Sequence, residues 1–486
     1  MFAYPLNDLV AGVVVFLVAL PLCLGIAVAC GVPPVSGLIA GIIGGLVVPW
    51  ISRSPLSITG PAAGLTSIVL AEVAHIGLPA FLTAVSLAGA LQIVFGVVKA
   101  GRFSALVPSA VIKGMLAAIG ATILLKQFPV AFGVVGKISE IPGQLHLGAT
   151  LITVVSLIIL FGWPKTPLQR IYWLPPALIV VALAVGMGIA FQGVPALALA
   201  PKHFVSVPTG GIGALVAAMP RPDLAAIALP GTWIAAVTIA IVASIETLLS
   251  VQAVDRLDPL HRKSPTNREL FAQGAANLVS GMLGGLPVTA VIVRSGANVA
   301  AGGRERLSAI VHAILLAVSV IALGSVMNMI PLACLAAVLI KVGVGLCSPA
   351  MFRQQWALGM DQFLPFIITI LAVLFEDLLI GVAIGIVVGI FFVLRQNAKG
   401  ALQITEDNGV HLVKFRRDGT FVAKPQLQEA LDRVPDNGRV VVDATGEYVD
   451  HDMKELLAGF ELDAKRRGIH MEVRGLDLTG LGAGGH

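Results

Sequence analysis

Charge is what this chain has least of. Only 12% of its 486 residues are Asp, Glu, Lys or Arg, about half the share in soluble domains, roughly 25%. So few charges cannot clothe a water-exposed surface, and a hydrophobic share of 57% with a mean hydropathy of +0.93 points the same way. The net charge of +5 is modest and its basic residues are scattered through loops, so nucleic acid is excluded as a partner. Cysteine is scarce too. Cys23, Cys30, Cys334 and Cys347 sit in apolar segments without metal-ligand spacing, so they read as small core residues and imply no disulfide framework. The histidines form no metal pair. No nucleophile–base constellation appears, and neither an enzyme nor a bound metal or organic cofactor is expected. No G-x-x-x-x-G-K-[ST] loop is present, which argues against work driven by nucleotide hydrolysis. Met1 leads at once into an apolar run with no small-residue cleavage signature, so no removable signal peptide is expected.

What the chain does have is long, continuous apolar runs. They are about 20 residues each, the length of a helix across a bilayer, and lack the alternation of barrel strands. The 53 glycines suit close helix packing and broken helices. The pattern predicts an α-helical membrane protein of fourteen segments, at residues 7–29, 35–49, 61–74, 80–98, 105–125, 147–162, 174–191, 231–254, 269–283, 289–301, 307–326, 331–346, 362–375 and 378–395. Residues 61–74 and 289–301 read as half-helices. A Pro- and Gly-rich connection over 193–230 separates two halves of seven, an arrangement that puts them in opposite orientations. With the N-terminus in the cytoplasm, the inside turns hold Arg53, Lys99, Arg102, Lys165, Arg170, Arg256, Arg262, Lys263, Arg268, Arg304, Arg306, Arg353 and Arg395. The outside loops hold only Lys126, Lys137, Lys202 and Arg221. That bias follows the positive-inside rule and places the protein in the cell (inner) membrane with both termini cytoplasmic. Residues 1–398 form the membrane domain. Residues 399–486 read as a small cytoplasmic α/β domain, with strands at 440–443 and 469–473 around a helix at 451–465.

Two stretches carry the chemistry. Ser54-Pro-Leu-Ser-Ile-Thr-Gly-Pro-Ala-Ala-Gly-Leu-Thr-Ser67 and Gly284-Gly-Leu-Pro-Val-Thr-Ala-Val-Ile-Val-Arg-Ser-Gly-Ala297 each read as an extended run turning into a helix at membrane depth. A helix that begins there presents free N–H groups and the positive end of its dipole, and two such ends at one cavity make an anion site. Around Thr59 and Gly60 the first stretch offers the amides of Ala62, Ala63 and Gly64; the second offers those of Val291, Ile292 and Val293. Arg294 adds a permanent charge, which could raise the local potential, pair with Glu246 or snorkel to an interface. Glu246 is an acid in mid-span with Ser250 one turn on. It could take up a proton with the substrate, bind Na⁺ with Ser250, or form a static pair with Arg294. Glu72 falls late in the first half-helix, and Glu376 and Asp377 read as a solvated outer turn. Lys113, Lys126 and Lys341 lie near span ends and read as snorkelling.

The segments Ala19-Leu-Pro-Leu-Cys-Leu-Gly25, Ser57-Ile-Thr-Gly-Pro-Ala-Ala-Gly-Leu65, Asn267-Arg-Glu-Leu-Phe-Ala-Gln-Gly274, Asn277-Leu-Val-Ser-Gly281 and Gly285-Leu-Pro-Val-Thr-Ala-Val-Ile-Val-Arg-Ser295 resemble the SulP anion transporters, and the likeness covers nearly the whole chain. Val440-Val-Val-Asp443 with the following helix resembles the STAS domain that ends such proteins. The resemblance implies a seven-plus-seven inverted repeat, with a core domain of spans one to four and eight to eleven and a gate domain of spans five to seven and twelve to fourteen. It also implies a homodimer in the bilayer, elevator-like alternating access, and a small anion as substrate: bicarbonate, sulfate or a dicarboxylate. Glu246 and Arg294 fall at the family's acidic and basic positions. Ala62 and Ala63 stand where many relatives carry an aromatic residue, which leaves a roomier pocket. His451-Asp452 stands where related regulators have a phosphorylatable serine, so phosphorylation there is not expected.

Overall fold

A computed structural model describes residues 4–102, 108–134, 138–167, 175–376, 378–407 and 409–478. Lys137, Arg170, Asp377 and the expected starts of two spans at Ala105 and Leu174 lie outside the described residues, as do 479–486 of the tail. The chain divides into two compact units: Met1–Ala357 with Phe366–Ala383, and Leu358–Pro365 with Ile384–His486.

Helices dominate the first unit. In order they are α1 (Pro5–Ala29), α2 (Pro34–Ile51), α3 (Thr66–Ile76), α4 (Leu78–Val97), α5 (Ser109–Ala131), α6 (Leu147–Gly162), α7 (Pro176–Phe191), α8 (Pro230–Asp255), α9 (Thr266–Met282), α10 (Ile292–Ala300), α11 (Leu307–Ala322), α12 (Leu332–Leu346), α13 (Met360–Phe375) and α14 (Leu378–Lys399), the last two crossing the division between units. Two short strands interrupt them, β1 (Thr59–Pro61) and β2 (Val288–Ala290). Among the described residues, seven helices are long and apolar enough to cross a membrane, and further apolar helices of 10–17 residues accompany them. Prolines at the first helical positions start α1, α2, α7 and α8, where a missing N–H costs nothing. Gly77, at φ +80, turns the chain between α3 and α4.

Small residues set the packing. α4 lies along α9 with Gly89 against Gly274: a Cβ on either would stand 2.6 Å from the other's carbonyl oxygen. α5 and α12 meet in the same way through Gly120 and Gly343. Such glycines let backbones approach where side chains would hold them apart. The outer faces stay apolar; along α6, Leu147, Leu151, Val154 and Ile158 form one exposed stripe, as lipid contact requires.

The second unit holds a four-stranded sheet, β3 (Leu402–Asp407), β4 (Val410–Phe415), β5 (Arg439–Asp443) and β6 (His470–Arg474), in that order. β3 runs antiparallel to β4, while β4, β5 and β6 are parallel. Two helices, α15 (Lys424–Asp432) and α16 (His451–Arg466), accompany it. Asp450 caps α16 by accepting from the Met453 amide, and Met453, Leu457 and Ala464 bury one face of that helix in the sheet's core. The expected strand–helix–strand is present; the β3–β4 hairpin and α15 are additional to it.

Candidate functional site

β1 and β2 cross at the heart of the first unit. They pair antiparallel, Thr59 opposite Ala290, Gly60 opposite Thr289 and Pro61 opposite Val288. The local sequence favours this: Pro61 disfavours helix at Gly60, and Val288 and Thr289 are β-branched. Each strand then turns into a helix. β1 leads through Ala62 and a 3₁₀ turn over Ala63–Leu65 into α3; β2 leads through Val291 into α10. Both helices start later than the sequence suggests, at Thr66 rather than near Pro61 and at Ile292 rather than near Thr289. Pairing across the crossing keeps the preceding residues extended.

The buried backbone here is satisfied by neighbours. The Val291 amide donates to Ile58 O at 2.9 Å, the Ile58 amide to Ser295 Oγ at 2.9 Å, and the Ala290 amide to Thr247 Oγ1 at 3.3 Å. α9 supplies a polar face that the sequence reading did not assign to the site. Asn277 accepts from the Val288 amide at 2.6 Å and donates to Val288 O at 3.0 Å. It also donates to Gln92 Oε1 at 2.7 Å, and Gln92 donates to Ser244 Oγ at 3.2 Å. One turn earlier, Gln273 donates to Thr59 Oγ1 at 2.8 Å and to Glu269 Oε1 at 2.9 Å, and Ser52 donates to the same Glu269 carboxylate. Glu269, Gln273 and Asn277 are fully buried at every fourth position. That spacing on a weakly apolar segment was the signal available in the sequence.

A cavity of about 80 Å³ opens where the two helices begin. One water needs about 10–15 Å³ of such space, so the cavity suits an ion a few atoms across. Ala63, Gly64, Val291, Ile292, Val293, Arg294, Glu246 and Ser250 line it on one side, and α1, α5 and α12 close it with Leu22, Ile26, Leu116, Ile119, Val342 and Leu346. Thr59, Gly60 and Ala62 are buried but do not line it.

Three expectations change in detail. Gly64 lies packed against the Glu246 carboxylate instead of facing the cavity freely: a Cβ there would stand 2.6 Å from Oε1. The Val291 amide is taken by Ile58 O, so the free donors of the second half-helix are its first-turn amides: Ile292, Val293 and Arg294. Arg294 neither snorkels nor pairs with Glu246. It is fully buried, its Nη2 reaches Pro61 O at 3.4 Å, and among the described residues neither its Nε and Nη1 nor Glu246 Oε2 has a hydrogen-bond partner. Gly60 makes room for the guanidinium, since a Cβ there would collide with Nη1. The cavity therefore combines two helix N-termini with a guanidinium that is not neutralised by a bonded carboxylate among the described residues.

Comparison with known proteins returns one theme. A family model described as the sulfate permease family matches residues 6–369. A chain of Bacillus subtilis (strain 168), YvdB, provisionally named a sulfate transporter, is 28% identical over 445 residues, 87% of this chain and 80% of that one. The bicarbonate transporter BicA of Picosynechococcus sp. is 28% identical over 401 residues, 79% of this chain and 69% of that one. Among solved structures, the transmembrane domain of a cyanobacterial BicA superposes with a TM-score of 0.67 at 25% identity, over 79% of this chain and 98% of that one. Murine Solute Carrier 26 family member A9, an anion transporter in an inward-facing state, superposes with a TM-score of 0.78 at 16% identity, over 97% of this chain and 86% of that one, which speaks for the fold.

Proposed function

This chain belongs to the sulfate permease family, a family of multi-pass membrane transporters, and from that premise we propose that it carries a small anion across the membrane by secondary transport. One observation carries the reading: Arg294, fully buried with two unpartnered donors, stands at a cavity fed by two half-helix N-termini. An isolated buried cation is costly, and a protein keeps one where an anion completes it. Bicarbonate and sulfate are the first substrates to consider, since relatives are named for them. A dicarboxylate is the third.

In this reading the fourteen segments cross the cell membrane as a seven-plus-seven inverted repeat, with the N-terminus and the C-terminal STAS-like unit cytoplasmic and two copies forming a dimer. The crossed strands and α1–α4 with α8–α11 move as one body past α5–α7 and α12–α14. Glu246, with Ser250, couples the movement to H⁺ or Na⁺. Its carboxylate keeps one oxygen unpartnered at the cavity, which supports a role in taking up a cation. The second reading is uncoupled exchange or a channel, and the packing of Gly64 against Glu246 favours it, because that contact gives the carboxylate a structural task.

The test is uptake of labelled bicarbonate, sulfate, chloride and fumarate into proteoliposomes, with and without proton and sodium gradients. Accumulation of one anion only under a gradient is expected. Flux indifferent to every gradient selects the second reading, and no flux of any anion ends both.

A further inference from the structure

Beside the site lies a larger cavity of about 370 Å³. Leu22, Val293 and Val342 line both spaces, so the two adjoin. The larger one is walled by apolar side chains and Trp163, and Lys341 on α12 is the charged residue among the described ones that line it. A lysine that snorkels extends away from apolar walls into water or headgroups. Lys341 is instead half-buried, with its ammonium 4.0 Å from the centroid of the Phe161 ring on α6. That cation–π contact holds the charge at the cavity wall.

An anion crossing a dry apolar space loses hydration that nothing there replaces. A fixed cation partway along lowers that barrier and concentrates anions at the adjoining site. We propose that Lys341 is a substrate-binding residue of a second anion subsite in this vestibule, which exchanges a small oxyanion or halide with the cavity of Arg294. The inference rests on the anion-transport reading and adds a residue that reading does not use.

The experiment measures concentration-dependent uptake of labelled sulfate and bicarbonate by the full chain in proteoliposomes, comparing unmodified protein with Lys341→Arg and Lys341→Met. At ~0.01 M salt, Lys341→Met should raise KM on the order of tenfold, as loss of electrostatic steering does, and Lys341→Arg should stay close to wild type. At ~0.15 M salt the difference should shrink, because the screening length falls from about 30 Å to about 8 Å. A charge rescue guards against misfolding. Lys341→Cys, made with Cys23, Cys30, Cys334 and Cys347 replaced, should regain low KM after modification with a cationic aminoethyl thiosulfonate and not after a neutral methyl one. Wild-type KM and salt dependence in Lys341→Met, or equal rescue by both reagents, overturns the inference while uptake by unmodified protein leaves the transport reading standing. Absence of uptake by the unmodified chain overturns the transport reading, and this inference with it.

Discussion

Replacing Gly64 by alanine perturbs the site at a point where the outcome can be worked out in advance. A Cβ at Gly64 would stand 2.6 Å from Glu246 Oε1 and 2.8 Å from both Cδ and Oε2. Reaching ordinary contact at 3.4 Å means a retreat of 3.4 − 2.6 = 0.8 Å by the nearest oxygen. The obstacle is the far end of a flexible side chain, so the fold survives and the carboxylate moves. That retreat moves the carboxylate from its place against the first half-helix at the edge of the cavity. Overpacking of this kind costs about 1–3 kcal/mol, or roughly one to two orders of magnitude in an equilibrium. Gly64→Ala should therefore change gradient-driven uptake about 10- to 100-fold at unchanged yield. Gly296→Ala is the matched control, since nothing lies within 4 Å of a Cβ there. It should leave uptake alone and stabilise α10 by about 0.5–1 kcal/mol. Uptake by Gly64→Ala with wild-type KM and gradient dependence refutes the contact between Glu246 and the half-helix as a working part of the site.

Three further outcomes follow from the same geometry. Glu246→Gln should abolish gradient-driven uptake and leave exchange partly intact; accumulation that still follows the gradient rules out Glu246 as the coupling group. Arg294→Ala should weaken anion binding by about 10- to 100-fold in titrations of the purified protein, the loss of a charge-assisted hydrogen bond, and equal affinity would reduce Arg294 to a packing role. Asp258, in the loop after α8, concerns stability. Burial pushes its carboxyl up, but the Arg262 side chain and the amides of Leu260 and Arg262 outweigh burial and hold it below the usual 3.8. A depressed folded value stabilises above the unfolded one and is lost as pH falls through the folded value. Asp258→Asn should thus cost about 1–2 kcal/mol at pH 7, with the gap to wild type closing in thermal unfolding as pH falls below 3.8. A gap of constant size below that pH contradicts the assignment.

The helix breaks were legible in the sequence because their causes are local: Gly60-Pro61 on one side, Pro287 with two β-branched residues on the other. The polar face of α9 was not. Glu269, Gln273 and Asn277 look like the uncharged and charged residues of any amphipathic helix until it is known that Thr59 and Val288 lie opposite them. Long-range pairing also overrode the local reading of donors. Val291 was expected to offer its amide to an anion, and Ile58, far away in sequence, takes it. The option of an Arg294–Glu246 pair failed for a similar reason: opposite charges in neighbouring segments invite pairing on paper, yet Glu246 packs against Gly64 and Arg294 turns toward Pro61 O. In the second unit, β5, α16 and β6 followed from apolar runs and periodicity, whereas β3 and β4 alternate too weakly to stand out from a charged tail.

The crossing of β1 and β2 also sets a timetable for making the protein. Thr59 finds its partner only when Ala290 has been synthesised, and ribosomes add about 5–20 residues per second. For roughly 10–50 s the first segment must sit in or beside the bilayer with its backbone edge unmatched, a condition lipid penalises. The nascent N-terminal half is therefore the vulnerable species during biogenesis, and the point of rescue is the arrival of a short tripeptide from the far half of the chain.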